Sequence, residues 1–468
     1  MTKKKLTLKE KIAYGIGDLG NGFTFDLGQA YLLKFYTDVC GIGAAAAGGV
    51  FLFSKIFDAF MDVLAGSFVD KHKASKNGKY RPVMMTSAIF LAFLTVITFI
   101  TPDVSVQGKL IYAYASYMIW GLCYSMVNIP YGSLSAAMTQ DVHDRTQLAS
   151  FRQGGSLLAL LITGVVFMPI VLLFSDTRWG FPVAAAAMAI IGVMSHAYCY
   201  RNTREKVEAT NSEPIKSSDL KHALTKNRPL WILIIMSIFT ISAYNIKIAM
   251  LIYFCEYNLG DVKLMALINF IIIGSSVVSI TSIPIINFII IGSSVVSITS
   301  IPKLVKIFGK KKTMLLGFGI SIIADIINFL IPSSPISFTV LATIAFVAIS
   351  IPNGIVWALI SDIIDFGEWK TGKRAAGVTY AAFSFSRKLA QSISGFSAGL
   401  GLSLIGYIPN AIQTQYVLFG IKGLLLLYPA ITILIAALII ALWYELTDER
   451  CNQIVADLQQ RKLNYSTT

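Results

Sequence analysis

The stretch FLFSKIFDAFMDVLAG sets Lys55, Asp58 and Asp62 inside an otherwise apolar run. At spacings i, i+3 and i+7 the three share one helical face, which brings the two carboxylates to roughly 6 Å from each other. An ionisable group at mid-bilayer costs about 2.5 to 3.5 kcal/mol on insertion scales, so such residues are functional candidates. Two carboxylates in a low-dielectric site cannot both ionise cheaply. One holds a proton, a cation sits between them, or Lys55 neutralises part of the charge. Asp58 and Asp62 are therefore expected to couple transport to a cation, the alternative being a structural ion pair with Lys55 that ties helices together.

Further charges lie in other apolar stretches. Asp18 and Asp26, in YGIGDLGNGFTFDLGQAYLLKFYTD, are candidates for binding substrate hydroxyls. The glycines around them follow no strand and so make no dinucleotide fingerprint; close helix packing explains them better. Asn128 sits two residues before Pro130, which frees a backbone carbonyl and kinks a helix toward a cavity. Arg152, Lys247, Arg387 and Lys388 add positive charge. Facing a cavity, they favour a carboxylate or sulfonate on the substrate; otherwise they balance the aspartates or snorkel to an interface. Trp357 is a candidate platform for a sugar ring, with packing or interfacial anchoring as its plainer role.

These residues must be held by helices. The chain has 468 residues, 55% hydrophobic and 14% charged, whereas soluble proteins carry about 25% charged residues. Runs near the roughly 20 residues needed to cross a bilayer centre in 12–37, 44–68, 83–101, 110–137, 152–174, 181–200, 230–254, 263–302, 313–331, 337–360, 379–406 and 417–444. An all-α membrane protein of about twelve transmembrane helices is expected. Basic residues recur on alternate loops: Lys71 to Arg81, Arg145 and Arg152, seven between Arg201 and Arg228, Lys303 to Lys312, and Lys370 to Arg374. The positive-inside bias puts those loops and both termini in the cytoplasm. The basic segment 201–229 separates an N-terminal bundle of six spans (1–200) from a C-terminal one (230–446). Such a layout places a substrate cavity between the halves near the midplane. Residues 447–468 read as a short amphipathic cytoplasmic tail.

The eighth stretch is anomalous. Residues 267–284 are followed at once by 285–302, a tandem copy of 18 residues with one difference. About 27 Å of helical rise nearly crosses a membrane again, but a thirteenth span would invert every later loop against the charge bias. An over-long segment kinked at Pro284 is expected instead.

Composition narrows the function classes. The net charge of +14 fits loops beside anionic lipid rather than nucleic acid. The five cysteines lie far apart without a CxxC pair, so neither a disulfide framework nor a metal site is indicated. An HExxH motif and nucleotide motifs are missing and there are four histidines, so an enzyme is not expected. The first stretch lacks a small-residue cleavage site and is expected to stay as a span rather than be removed. No cofactor is expected, and the partners are a small sugar and membrane lipid, with the chain a monomer. A carrier of amphiphilic lipids and a non-transporting sensor are the alternatives.

The strings YGIGDLGNG, LLKFYTDVCGI, KIFDAFMDVLAG, GKYRP, NIPYGSL and DFGEWKTGKR, in this order, resemble the glycoside-pentoside-hexuronide:cation symporter family of the major facilitator superfamily, and most closely its glucuronide and sulfoquinovose importers. The resemblance runs from about Ala13 to Arg461. It implies symport of a sugar or glycoside with a proton, sodium or lithium ion across the bacterial inner membrane. It also implies a coupling role for Asp58, Asp62 and Lys388. Gly22 and Asn128 stand where the melibiose branch has sugar-binding aspartates, so galactoside recognition does not transfer. Met61 stands where that branch has an asparagine assisting sodium. Loss of that oxygen weakens a sodium site at Asp58 and Asp62 and favours a proton. The resemblance further assigns GKYRP, with Lys79 and Arg81, and the matching GKKKT to cytoplasmic gating loops in which Asp70 pairs with nearby bases. Asp365 and Glu368 are expected to meet Lys373 and Arg374 in a second lock.

Overall fold

The computed structural model describes residues 6–71, 75, 77–139, 141–206, 227–278, 301–372 and 376–466, with the side chains of some helical residues left out. Helices make up its regular structure, and the described residues contain no strand. They run α1 Leu8–Ala30, α2 Ala44–Lys71, α3 Tyr80–Thr98, α4 Val106–Met138, α5 Val142–Val171, α6 Thr177–Asn202, α7 Arg228–Tyr253, α8 Leu264–Val278, α9 Ile301–Leu330, α10 Pro335–Thr371 and α11 Ala376–Leu404. After them α12 comes in two pieces, Gln415–Lys422 and Tyr428–Trp443, joined by a π-turn, and α13 is Asp448–Ser466. Nine helices among the described residues are long and apolar enough to cross a membrane. The candidate spans α1, α8 and α11 fall outside that set. Polar residues and glycines dilute α1, the described part of α8 is short, and α11 carries Arg387, Lys388 and many serines and glycines. Residues 279–300 hold most of the tandem copy, so the predicted kink at Pro284 lies outside the described residues.

Local signals explain the helix ends. Thr7 caps α1 by accepting from the Glu10 amide, while Glu10 accepts from the Thr7 amide, a capping box that satisfies two orphan donors. The far end of α1 continues through Leu32–Lys34 into a five-residue π-turn, Phe35–Val39, and α7 ends in the same way at Phe254–Asn258. Each π-turn is followed by a glycine in the left-handed region, Gly41 (φ 71°) and Gly260 (φ 79°), a backbone conformation that residues with a side chain adopt only under strain. The two terminations also share their hydrogen bonds: Cys40 donates to Phe35 and Ile42 to Tyr36, as Leu259 donates to Phe254 and Asp261 to Cys255. The first and seventh spans thus repeat one structural device.

The chain forms two compact units. The first comprises 1–210, 245–281 and 392–425. Within it α1 packs on α5 and α6 along its glycine stripe: a Cβ at Gly15 would lie 2.6 Å from the Phe151 carbonyl, and one at Gly20 2.9 Å from that of Gly192. Packing, as the sequence suggested, accounts for these glycines. Phe35 of the π-turn packs with Phe99, Phe167 and Phe181 in one aromatic cluster. At that same end Gly48 of α2 meets Gly399 of α11 in near backbone contact, and Asn269 of α8 donates to the Gly164 carbonyl of α5.

The second unit comprises 211–244, 282–391 and 426–468. Its apolar core joins Leu233, Met236, Phe318, Ile349, Leu359 and Ile433 from α7, α9, α10 and α12. The tail folds as the amphipathic helix expected: Cys451, Ile454 and Leu458 of α13 are buried in that core. Asp448 at its start accepts from the Lys310 amide just after the break in α9 at Gly309.

Candidate functional site

Lys55 and Asp58 are each 4% exposed, and Lys55 Nζ lies 3.4 Å from Asp58 Oδ2. The ammonium sits among the rings of Phe25, Tyr117 and Trp120, 5.2 to 5.4 Å from their centroids. Those rings attract the cation through their faces and hold it beside the Asp58 carboxylate. Trp120 is itself fixed by donating to Thr95 Oγ1 at 3.0 Å, and Tyr117, Trp120 and Tyr124 form a stack along α4. Asp58 presses on Gly121 of α4, and Asp62 accepts from Ser125 one turn further along the same helix. Asp58 and Asp62 therefore both face α4. The sequence expectation of a shared face is realised, and the Lys55 ion pair named as its alternative is present as well.

A second group forms where α1, α4 and α5 meet. Arg152 Nε donates to Asp18 Oδ1 at 3.2 Å, and its second arm reaches Asn128 Oδ1 at 3.4 Å. Asn21 donates to the same Asp18 oxygen. The guanidinium lies over Tyr131, which stacks on Tyr14 at 4.7 Å. Three of the sequence candidates, Asp18, Asn128 and Arg152, are thus one cluster. The Arg152 side chain is 39% exposed against 10% for Asp18, so the cation keeps an open side on which an anion can land. Phe25 packs on Tyr124 at 5.4 Å and links this group to the Lys55 cage.

The other candidates are dispersed. Asp26 lines a small cavity with Thr163, Gly164, Ile248 and Asn269, and its Oδ2 lacks a hydrogen-bond partner among the described residues. Lys247 is 2% exposed in α7, and Lys388 is half-buried in α11. Trp357 lies on α10, but its side chain is outside the description, as are the Asp70 side chain and Arg374. Asp365 and Glu368 are half-buried near the end of α10.

The basic turn before α3 is held by contacts to the end of the sixth span, while the expected partner Asp70 has its side chain outside the described residues. The amides of Lys79, Tyr80 and Arg81 all donate to the Glu205 carboxylate at 2.8 to 3.0 Å, and the Arg81 guanidinium binds the Tyr200 carbonyl. An acid at a helix N-terminus satisfies orphan amides there, so this turn is anchored to the end of α6. In the GKKKT string Lys310 pairs with Asp362 of α10 at 2.6 Å and with Asp448 at 3.6 Å. Neither Glu205 nor Asp362 was singled out from sequence, because each is an ordinary charge near a helix end. Glu10 is likewise tied to Lys206 at 2.7 Å. Burial pushes its carboxyl up, but the Lys206 ammonium and the Thr7 bonds hold it below the usual range.

A further group was missed altogether. Lys34 bridges Asp38 and Glu256 at 2.5 Å each, under the rings of Tyr253 and Tyr257. Tyr407 donates to Asp38 at 2.8 Å, and burial beside that carboxylate pushes the phenol up, keeping it a donor. The one signal was the string LLKFYTDVCGI, used only to carry the family resemblance.

Long apolar helices with charges buried among them fit a membrane carrier, and the comparisons give the class. The family model described as MFS/sugar transport protein matches residues 13–448. The uncharacterized symporter YjmB of Bacillus subtilis is 56% identical over 98% of this chain and 97% of its own length. The glucuronide carrier protein homolog of Escherichia coli is 33% identical over 98% and 97%. The inward-open xylose transporter XylE from E. coli shares the fold, with a TM-score of 0.62 at 16% identity over 95% of this chain and 98% of that one. The chain belongs to the MFS/sugar transport family, in its glycoside-pentoside-hexuronide group, with the all-α fold of the major facilitator superfamily. It is a multi-pass membrane transporter of sugars or glycosides and not an enzyme.

Proposed function

We propose that this transporter imports an anionic sugar, a uronide or sulfo-sugar, together with a proton across the bacterial cytoplasmic membrane, with both termini inside. The observation that carries the substrate class is the half-exposed Arg152 guanidinium held between Asp18 and Asn128. A substrate carboxylate or sulfonate would displace Asp18 as its partner, exchanging one charge-assisted pair for another at little net cost. A relative named as a glucuronide carrier protein homolog supports the same class.

Coupling is assigned to Asp58 and Asp62, with Lys55 as internal counter-ion and Lys388 as the residue linking the ion to the sugar. Met61 supplies no hard oxygen ligand at that turn, which favours a proton over sodium. A ligand shifts a two-state carrier only by its differential affinity for the two states, so protonation must favour the outward-open form. Asp18, Asp26, Asn128, Arg152, Lys247 and Trp357 would hold the sugar. Lys79, Arg81, Asp70, Asp365, Glu368 and Arg374 would serve the inner gate, joined by Lys310 and Asp362. Uptake of neutral, carboxylated and sulfonated sugars into vesicles, under an imposed proton or sodium gradient, tests the reading. Concentration of the anionic sugars driven by the proton gradient is expected. Preference for neutral sugars, or drive by sodium alone, refutes it.

A further inference from the structure

We propose that Lys34, Asp38, Glu256, Tyr407 and Asn410 form a latch that closes the outer end of the transporter, and that opening to the outside requires breaking it. The proposal rests on the orientation and transport reading given above. Asp38 is its centre. One carboxylate receives Lys34 at 2.5 Å, Tyr407 at 2.8 Å and Tyr257 at 3.2 Å, while its backbone carbonyl accepts from Asn410 Nδ2 at 2.7 Å. Thr37, the preceding residue, bonds the Tyr253 hydroxyl at 3.0 Å. Lys34 completes the set by reaching Glu256 at 2.5 Å. These bonds join the end of the first span to the end of the seventh and to the turn after the eleventh.

Three features mark a latch rather than a permanent staple. Its two acids, Asp38 and Glu256, sit on the π-turns of Phe35–Val39 and Phe254–Asn258, wide turns that carry an extra residue and concentrate at functional sites. The neighbouring contacts at this end, Gly48 on Gly399 and Asn269 on Gly164, are made through glycines, where helices touch over a small area. A cavity of about 510 Å³ bordered by Glu256, Tyr257, Asn410 and Gln413 reaches the ion pairs from the side, giving water a route to the charges as they separate. Lys34 holds both acids, so its loss takes the shared counter-charge from between Asp38 and Glu256. Repulsion then drives the ends apart, and the closed state is the one that suffers.

Cys255 reports on this movement, being fully buried on the π-turn beside Glu256. In full-length protein in membranes, with Cys40, Cys123, Cys199 and Cys451 replaced by serine, Cys255 is labelled with a membrane-impermeant maleimide added outside. Removing a charged hydrogen-bond partner is worth about 1.5 to 3 kcal/mol, so Lys34→Ala should raise the labelling rate about tenfold or more. Lys34→Arg should label near the parent rate. Tyr407→Phe, which deletes a single hydroxyl and leaves the ion pairs, should give a smaller rise of about twofold to tenfold and covers the case in which Lys34→Ala fails to insert. Unchanged labelling in both Lys34→Ala and Tyr407→Phe, or in Tyr407→Phe alone if the lysine variant does not insert, overturns the latch. Faster labelling in a chain that takes up no sugar would instead sink the transport reading and leave the latch standing.

Discussion

Two charged groups lie along the first span and its extension, and they are built differently. Around Asp18 and Lys55 the ion pairs are long, 3.2 and 3.4 Å, and aromatic rings fill much of the space around the cations. Around Asp38 the contacts shorten to 2.5 to 3.2 Å, and hydroxyls and an amide complete the shell. A site that must accept and release an ion or a sugar works best with partners it can exchange, since a fully satisfied carboxylate gains little from a new ligand. A closure that must hold one state benefits from the opposite arrangement. On the proposed reading, charge density alone does not identify a binding site, and the length of the ion pairs separates the two groups.

The sharpest way to break this comparison is Asp58→Asn. If the loose pair carries the coupling proton, uphill accumulation should vanish while downhill sugar exchange continues, measured in vesicles with and without a proton gradient. Retained accumulation would place coupling elsewhere. Next comes Arg152→Ala, expected to raise the half-saturating concentration of an anionic sugar about 10-fold to 100-fold. Arg152→Lys should recover only part of this, because an ammonium cannot span Asp18 and Asn128 as the forked guanidinium does. Equal losses for neutral and anionic sugars would make Arg152 a structural residue.

The smallest effect is expected at Glu10. Its carboxyl is held below the usual range, so the Lys206 pair adds stability at neutral pH that disappears as the pH falls through that lowered value. Glu10→Gln should cost about 0 to 1 kcal/mol near pH 7, and the difference from the parent should shrink in acid. Thermal melting in detergent at several pH values measures it.

Much of the architecture was legible because a bilayer demands long apolar helices with their backbones satisfied internally, and hydrophobic runs report those directly. Asp18, Asp58, Asn128 and Arg152 stood out for the same reason: each is polar where the solvent is lipid. Lys34, Asp38 and Glu256 did not, since charges near the ends of apolar runs are ordinary. Glu205 and Asp362 escaped for that reason too, and the tandem copy in 285–302 offered a pattern without a physical consequence that periodicity could choose.

From its sequence alone the chain is a polytopic carrier, because composition determines which solvent each segment tolerates. Which charges meet was decided only by the tertiary structure. Asp38 and Tyr407 lie 369 positions apart, and Arg152 and Asp18 lie 134 apart. Coulomb attraction and hydrogen bonding act over a few ångströms, so such pairs exist only once helix packing has brought distant segments within reach.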